Sequence, residues 1–313
     1  MSTLSKSPIA ILKAAHEVAR GVLPDYSHRN SPKTFTQPQL FACIVLKLAE
    51  ADDYRGIAAK LADSPSWREA IGLRSTPEFS TLQKAYHRLR RSGRVRDLMD
   101  RSVRLGTPEP AEPAEAIVDS TGMRADRASR YYSQRARAAA GTRRPRPGGG
   151  RRRRRYPKLG LVVDRHTHLI LAAHGGVGPR PDVDEFVGLL KAAHWRRRLG
   201  TVLADAGYDA EVNHRYAREA LGLRVLIRRG RHCREPGPPR TPHRRRTEEA
   251  WVRAAYGQRW QVETVVSMLK RRQGDVCRSR TAAGQRKDLF WMALTHNILI
   301  LWLFAKKRTF PQS

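Results

Sequence analysis

"KLGLVVDRHTHLILAAH", residues 158–174, decides the fold. Two apolar runs, "KLGLVVD" and "HLILAAH", are joined by the polar triplet "RHT", a pattern that predicts a β-hairpin. Outward from it the chain keeps alternating. "AIVD" on the N-terminal side ends at Asp119; "TVLAD" on the C-terminal side is a buried-looking strand ending at Asp205; "RVLIR" is one more. Between the strands, "DVDEFVGLLKAAHWRRRL" predicts an amphipathic helix, and "AEVNHRYAREALG" a helix closed by Gly222. Strands mixed with helices in this way make an α/β domain.

Upstream the texture is helical. "QPQLFACIVLKLAEA" places Leu40, Ile44 and Leu48 on one face, with Phe41 and Val45 beside them. "DYRGIAAKLADSP" predicts a shorter helix capped by Asp53 and ended before Pro65. "STPEFSTLQKAYHRLRRSG" predicts a third, started by Ser80 or Thr81, carrying Arg88, Arg90 and Arg91, and stopped near Gly93. Short helices with a basic last member suggest a helix-turn-helix-like DNA module, the alternative being a plain bundle with a solvated basic face. "GTPEPAEPAEA" reads as an exposed linker. The expected layout is an N-terminal helical DNA-binding domain at 1–105, a linker at 106–115 and an α/β domain at 116–308.

Sixty-one Lys and Arg against 29 Asp and Glu give a formal charge of +32 over 313 residues. Such an excess points to a polyphosphate partner, since neutralising phosphates releases counterions. Cys43, Cys233 and Cys277 form no C-x-x-C pair, which argues against a disulfide framework or a cysteine zinc site and fits a reducing, cytoplasmic setting. His166, His168 and His174 lack helical ligand spacing and read as ordinary sheet or surface histidines. No signal peptide is expected from the first residues. "LFWMALTHNILILWLFA", 289–305, is short for a membrane span and polar at its centre, so it predicts a buried C-terminal helix and no membrane partner. Two basic stretches, 141–155 and 228–246, are broken by Gly and Pro and predict irregular loops, either solvated or gripping phosphates.

In a basic chain, carboxylates at element ends carry the information. Asp119 and Asp205 each sit where a strand is expected to run out into a loop, followed by small residues. Ligands of open α/β sheets gather at such ends. If the two strands are neighbours, their carboxylates converge and need a cation between them, for which Mg²⁺ is the natural choice. Farther on, "YGQRWQVETVVSMLKRR", 256–272, places one acid, Glu263, among bases. On a single helix from 248 to 271, Tyr256, Arg259, Glu263 and Lys270 share a stripe roughly 60° wide, beside an apolar stripe of Trp251, Ala255, Val262, Val266 and Leu269. Glu263 can then complete a three-carboxylate metal site, with Arg259 and Lys270 meeting phosphates; the same spacing also suits a surface ion-pair ladder.

These residues resemble DDE-type transposases of bacterial insertion sequences. Tyr256, Arg259, Glu263 and Lys270 match their Tyr-Arg-Glu-Lys signature in spacing. "VDSTGMRADRASRYYSQR" is similar to the region of the first catalytic aspartate, and "VLADAGYDAEVNHRYA" to that of the second. "THNILIL" resembles the closing helix, and "TFTQPQLFACIVLKLAEADDYRGIAAKLADSP" with "PEFSTLQKAYHRL" the N-terminal helical domain. The resemblance implies a ribonuclease H-like mixed sheet flanked by helices. Asp119, Asp205 and Glu263 would be catalytic metal ligands for two Mg²⁺ ions, with Mn²⁺ as substitute and no small-molecule cofactor. Tyr256, Arg259 and Lys270, with Arg88, Arg90 and Arg91, would bind double-stranded DNA. The implied activity is cleavage at terminal inverted repeats and joining of 3′ ends to target DNA, by a homodimer at the bacterial nucleoid. A nuclease without strand transfer, or a non-catalytic DNA-binding derivative, are the alternatives.

Overall fold

In the computed structural model, residues 6–107, 112–125, 155–230, 239–249 and 256–309 are described, with side chains except those of 248–249 and 302–309. Six helices come first: α1 (Pro8–Arg20), α2 (Gln37–Ala49), α3 (Tyr54–Asp63), α4 (Pro65–Glu69), α5 (Phe79–Arg91) and α6 (Arg94–Gly106). Their ends follow local chemistry. Thr36 and Gln39 form a capping box on α2, and Asp53 accepts from Arg55 N and Gly56 N to start α3, as its sequence predicts. The helix α5 begins at Phe79, a residue or two before the Ser80/Thr81 start expected, and Glu78 at its cap makes no side-chain bond. Tertiary burial of Leu82, Ala85 and Leu89 holds it instead.

The sheet contains β1 (Ala114–Gly122), β2 (Tyr156–Asp164), β3 (Ile170–Gly178), β4 (Leu199–Ala204) and β5 (Arg224–Ile227) in the order β3-β2-β1-β4-β5. β2 and β3 are the predicted hairpin, with Leu161 opposite Ala173. β1 runs antiparallel to β2 and parallel to β4, and β4 parallel to β5. Alternate residues serve opposite faces. Ile117, Leu161, Val163 and Leu203 join the core cluster of the N-terminal helices and of Val262, Val265 and Leu269. Val118, Val162, Val202 and Ala204 face Phe186, Leu189 and Leu190 of α7 (Phe186–Arg196), which follows a 3-10 turn at Asp182–Glu185. This is a mixed, ribonuclease H-like α/β sheet covered on both sides. After β4 come a 3-10 turn (Ala206–Tyr208), α8 (Glu211–Arg215) and a π-helical turn (Tyr216–Ala220). Then follow β5, α9 (Pro242–Glu249), α10 (Trp260–Gln273) and α11 (Ala282–Thr309).

α11 binds the halves together. Phe41 and Tyr86 of the N-terminal helices pack on Trp291 with ring centroids 5.6 and 5.1 Å away. Its polar centre is fully buried, and Asn297 accepts from Ile170 N at 2.8 Å and donates to Ile170 O at 2.9 Å, satisfying backbone groups of β3. Among the described residues, no helix is long and apolar enough to cross a membrane.

Two expectations need correction. The stretch 228–246 is not irregular throughout, because Pro242 starts α9; proline is tolerated at a first helical position, where its missing N–H costs nothing. Nor do residues 248–271 form one helix. Helical residues 256–257 are followed by a turn at 258–259, with Arg259 N bonded to Tyr256 O and Val262 N to Arg259 O, and α10 begins at Trp260. Gly257, a weak helix former, sits at the break. Of the expected apolar stripe, Val262 and Leu269 are buried and Val266 is half-buried, while Trp251 and Ala255 lie outside the described residues. So do most of the basic stretch 141–155 and Cys233.

Candidate active site

The register of β1 and β4 sets the site. Val118 and Ala204 form the last parallel rung, so Asp119 and Asp205 are each the next residue beyond it. Asp205 stands at a strand end as expected. Asp119 does not: β1 continues to Gly122 because its other partner, β2, still pairs with it as far as Lys158. The opening beside Asp119 therefore comes from the shorter neighbour, β4.

Backbone donors orient both carboxylates. Ser120 N donates to Asp119 Oδ1 at 2.8 Å, and Gly207 N to Asp205 Oδ1 at 2.7 Å. Arg259, at the N-terminal boundary of α10, places one guanidinium nitrogen 3.5 Å from Asp119 Oδ2 and the other 3.0 Å from Glu263 Oε1. One planar cation thus separates Asp119 from Glu263. The Asp119 carboxyl is raised to about 6: burial raises it most, the Ser120 N–H and Arg259 pull it down, and Asp205 and Asp182 push it up. Glu263 is 61% exposed at its side chain, on the first turn of α10.

Tyr256 is half-buried among Arg259, Arg228 and Asp205, and burial raises its phenol. Lys270 lies seven residues after Glu263 on α10, about 10 Å along the axis. Arg88 and Arg91 are exposed on α5. Arg90 is not available in the same way. Its guanidinium pairs with Asp288 at 2.9 Å and donates to Ser279 at 2.7 Å and to the Gly284 carbonyl, fastening α5 to α11.

The sequence reading missed a fourth acid. Asp182 Oδ1 accepts from Ser120 Oγ at 2.6 Å and from Lys158 Nζ at 2.6 Å. Lys158 is buried, with Glu185 at 3.5 Å and the Arg180 carbonyl at 3.0 Å. Acids in the first turn of a helix usually complement its dipole. "DVDE" passes for that, and the buried lysine that gives it another purpose lies on a distant strand. A second buried network was also missed. Asp209 takes a two-point grip from Arg244 (2.8 and 2.7 Å) and a bond from His214 (3.0 Å), whose other nitrogen meets Thr247 at 2.9 Å. The Thr247 hydroxyl also accepts from Arg218 at 2.7 Å, so the set locks α9 onto α8 rather than leaving a reactive hydroxyl.

Among the described residues, no three of Asp, Glu, His and Cys stand close enough to grip one ion as they are. The donor set nevertheless suits a hard divalent cation. It consists only of carboxylate oxygens, Asp205 pushes the Asp119 carboxyl up, and Arg259 serves as the counter-charge between Asp119 and Glu263.

Residues 110–298 match the family described as Transposase DDE domain. No curated protein matches the chain.

Proposed function

Because the chain belongs to the transposase DDE domain family, we propose that it cleaves DNA phosphodiesters at the terminal inverted repeats of its own element. It then joins the freed 3′ ends to target DNA. The observation that supports this reading is the Val118–Ala204 rung, beyond which Asp119 and Asp205 are the next residues on adjacent strands, with Arg259 linking Asp119 to Glu263.

Each residue has a part in this reading. Asp119, Asp205 and Glu263 would hold two Mg²⁺ ions, or Mn²⁺ in their place; such ions supply an activated oxygen nucleophile and neutralise charge at the leaving oxygen. Ser120 and Gly207 fix the two aspartates through their N–H groups. The long, exposed Glu263 side chain can swing toward them without repacking the core. Were ions held there, Arg259 would be free of the carboxylates and, with Tyr256 and Lys270, could meet the DNA backbone. Arg88 and Arg91 extend that contact from α5, and the net charge of +32 supplies sequence-independent attraction. Joining two ends calls for two sites, hence a homodimer on DNA.

The test uses the purified full chain, Mg²⁺ and linear DNA carrying the repeats that flank its gene. The expected products are 3′-hydroxyl ends at the repeat boundary and strand-transfer species, all abolished by EDTA. Cutting without joining selects the nuclease alternative. Binding without cutting in both Mg²⁺ and Mn²⁺ overturns the catalytic reading.

A further inference from the structure

We propose that Asp182 is a positioning residue that clips the stretch of β1 bearing Asp119 to the exit of β4 bearing Asp205, with buried Lys158 as its fixed counter-ion. The inference rests on the ion-site reading above and assigns a new residue to it.

Ser120 works in two directions. Its N–H holds Asp119 Oδ1 at 2.8 Å, while its hydroxyl donates to Asp182 Oδ1 at 2.6 Å. Successive strand residues point to opposite faces, so Ser120 presents its hydroxyl on the face opposite Asp119, to an acid that Asp119 itself does not bond. The other oxygen of Asp182 rests against the β4 exit. A Cβ added to Gly207 would lie 3.2 Å from Asp182 Oδ2 and 3.0 Å from Asp205 Oδ1, and Gly207 N is the donor that orients Asp205. One carboxylate thus abuts both residues that orient the two catalytic aspartates.

Lys158 keeps the clip in place. Its ammonium is almost wholly inaccessible and lies 2.6 Å from Asp182. A buried ammonium has to be paired, and this pairing pins the carboxylate. Tyr208 adds an independent sign that the spot is prepared for a ligand. Its hydroxyl is buried without a hydrogen-bond partner among the described residues, in the field of Asp182, Asp119, Asp205 and Glu185. An orphaned buried donor among the described residues, in the field of these acids, suits a polar guest such as ion-bound water.

The test measures Mn²⁺ binding by electron paramagnetic resonance on the full chain without DNA, beside far-ultraviolet circular dichroism. Asp182→Ala and Ser120→Ala should each weaken Mn²⁺ by about tenfold or more, as loss of an outer partner of a metal ligand does. The double variant should be no weaker than either single one, because the two act in series. Asp182→Asn, which still accepts from Ser120 but loses the ion pair with Lys158, should fall between Asp182→Ala and the wild type. Gly207→Ala leaves every charge untouched but pushes on both carboxylates, and should also weaken the ion; it carries the test together with Ser120→Ala if Asp182→Ala does not fold. Unchanged Mn²⁺ affinity in folded Asp182→Ala, or in folded Ser120→Ala and Gly207→Ala, overturns the proposal. So do additive losses in the double variant. If Asp119→Asn leaves the affinity at its wild-type value, or the wild type binds no Mn²⁺, the ion-site reading fails first and this inference falls with it.

Discussion

Arg259 Nη1 lies 3.5 Å from Asp119 Oδ2, an ion pair that joins the middle of a strand to the boundary of a helix more than a hundred residues later. Its other nitrogen holds Glu263. The guanidinium therefore does, between two carboxylates, the neutralising that a divalent ion would do.

Arg259 and the ion should then be partly interchangeable for stability. Arg259→Ala is expected to lower stability by roughly 0.5–1 kcal/mol without divalent ions, the range for a partly exposed pair. With saturating Mn²⁺ the loss should shrink, read as a larger Mn²⁺-induced rise in Tm for the variant than for the wild type. The same loss with and without Mn²⁺ would contradict this.

Arg90 and its neighbours should separate by assay. Arg90→Ala removes a bridge to Asp288 that is 13% and 12% exposed at its two side chains, and should cost roughly 2–3 kcal/mol in urea unfolding. Arg88→Ala with Arg91→Ala should leave stability within about 0.5 kcal/mol. If both meet phosphates, the slope of log affinity for DNA against log salt should fall by about 2. An unchanged slope would remove α5 from the DNA interface.

Asn297→Leu should be costly although leucine fits the apolar surroundings. It strands the N–H and carbonyl of Ile170, which Asn297 satisfies at 2.8 and 2.9 Å. The expected loss is roughly 2–4 kcal/mol, a desolvation penalty for two buried backbone groups. Urea titration measures it, and a loss below about 1 kcal/mol would mean that β3 re-pairs elsewhere.

Much of this architecture is legible in the sequence because it is local. The hairpin of β2 and β3 needs only adjacent apolar runs, and the Asp53 cap only its own next residues. Features that depend on partners are not legible. Asp119 looks like a strand end because "STG" is small and polar, and only the β2 pairing, contributed from beyond residue 155, carries the strand to Gly122. The basic run on α5 looks uniform, and it takes Asp288 to distinguish Arg90 from Arg88 and Arg91. Asp182 is masked by its place in a helical first turn until Lys158 is seen against it. Asp119 and Asp205 stand out in the sequence because each directly follows an apolar run, and the parallel rung at Val118 and Ala204 makes them the next residues on adjacent strands.

The Asp209 network sets a pH dependence. Burial alone would raise that carboxyl, but hydrogen bonds from His214 and Arg244 outweigh it and hold it well below the usual carboxylate range. A depressed folded-state value means that the contribution is fully present above the unfolded value, about 4, and is lost as pH falls through the folded one. Unfolding free energy should therefore decline below about pH 4, and Asp209→Asn should flatten part of that decline while costing roughly 3 kcal/mol at neutral pH. Urea titrations from pH 2.5 to 7 check it, and an identical acid slope in the variant would contradict the assignment.

The most direct measurement compares Glu263→Gln with the wild type on the same repeat-bearing DNA, scoring retention in a gel shift and cleavage in Mg²⁺. Glutamine keeps the shape and removes the charge. The account predicts a gel shift within about twofold of the wild type and cleavage reduced by at least about a hundredfold, the upper range for losing even an outer partner of a metal ligand. Undiminished cleavage by Glu263→Gln would contradict it.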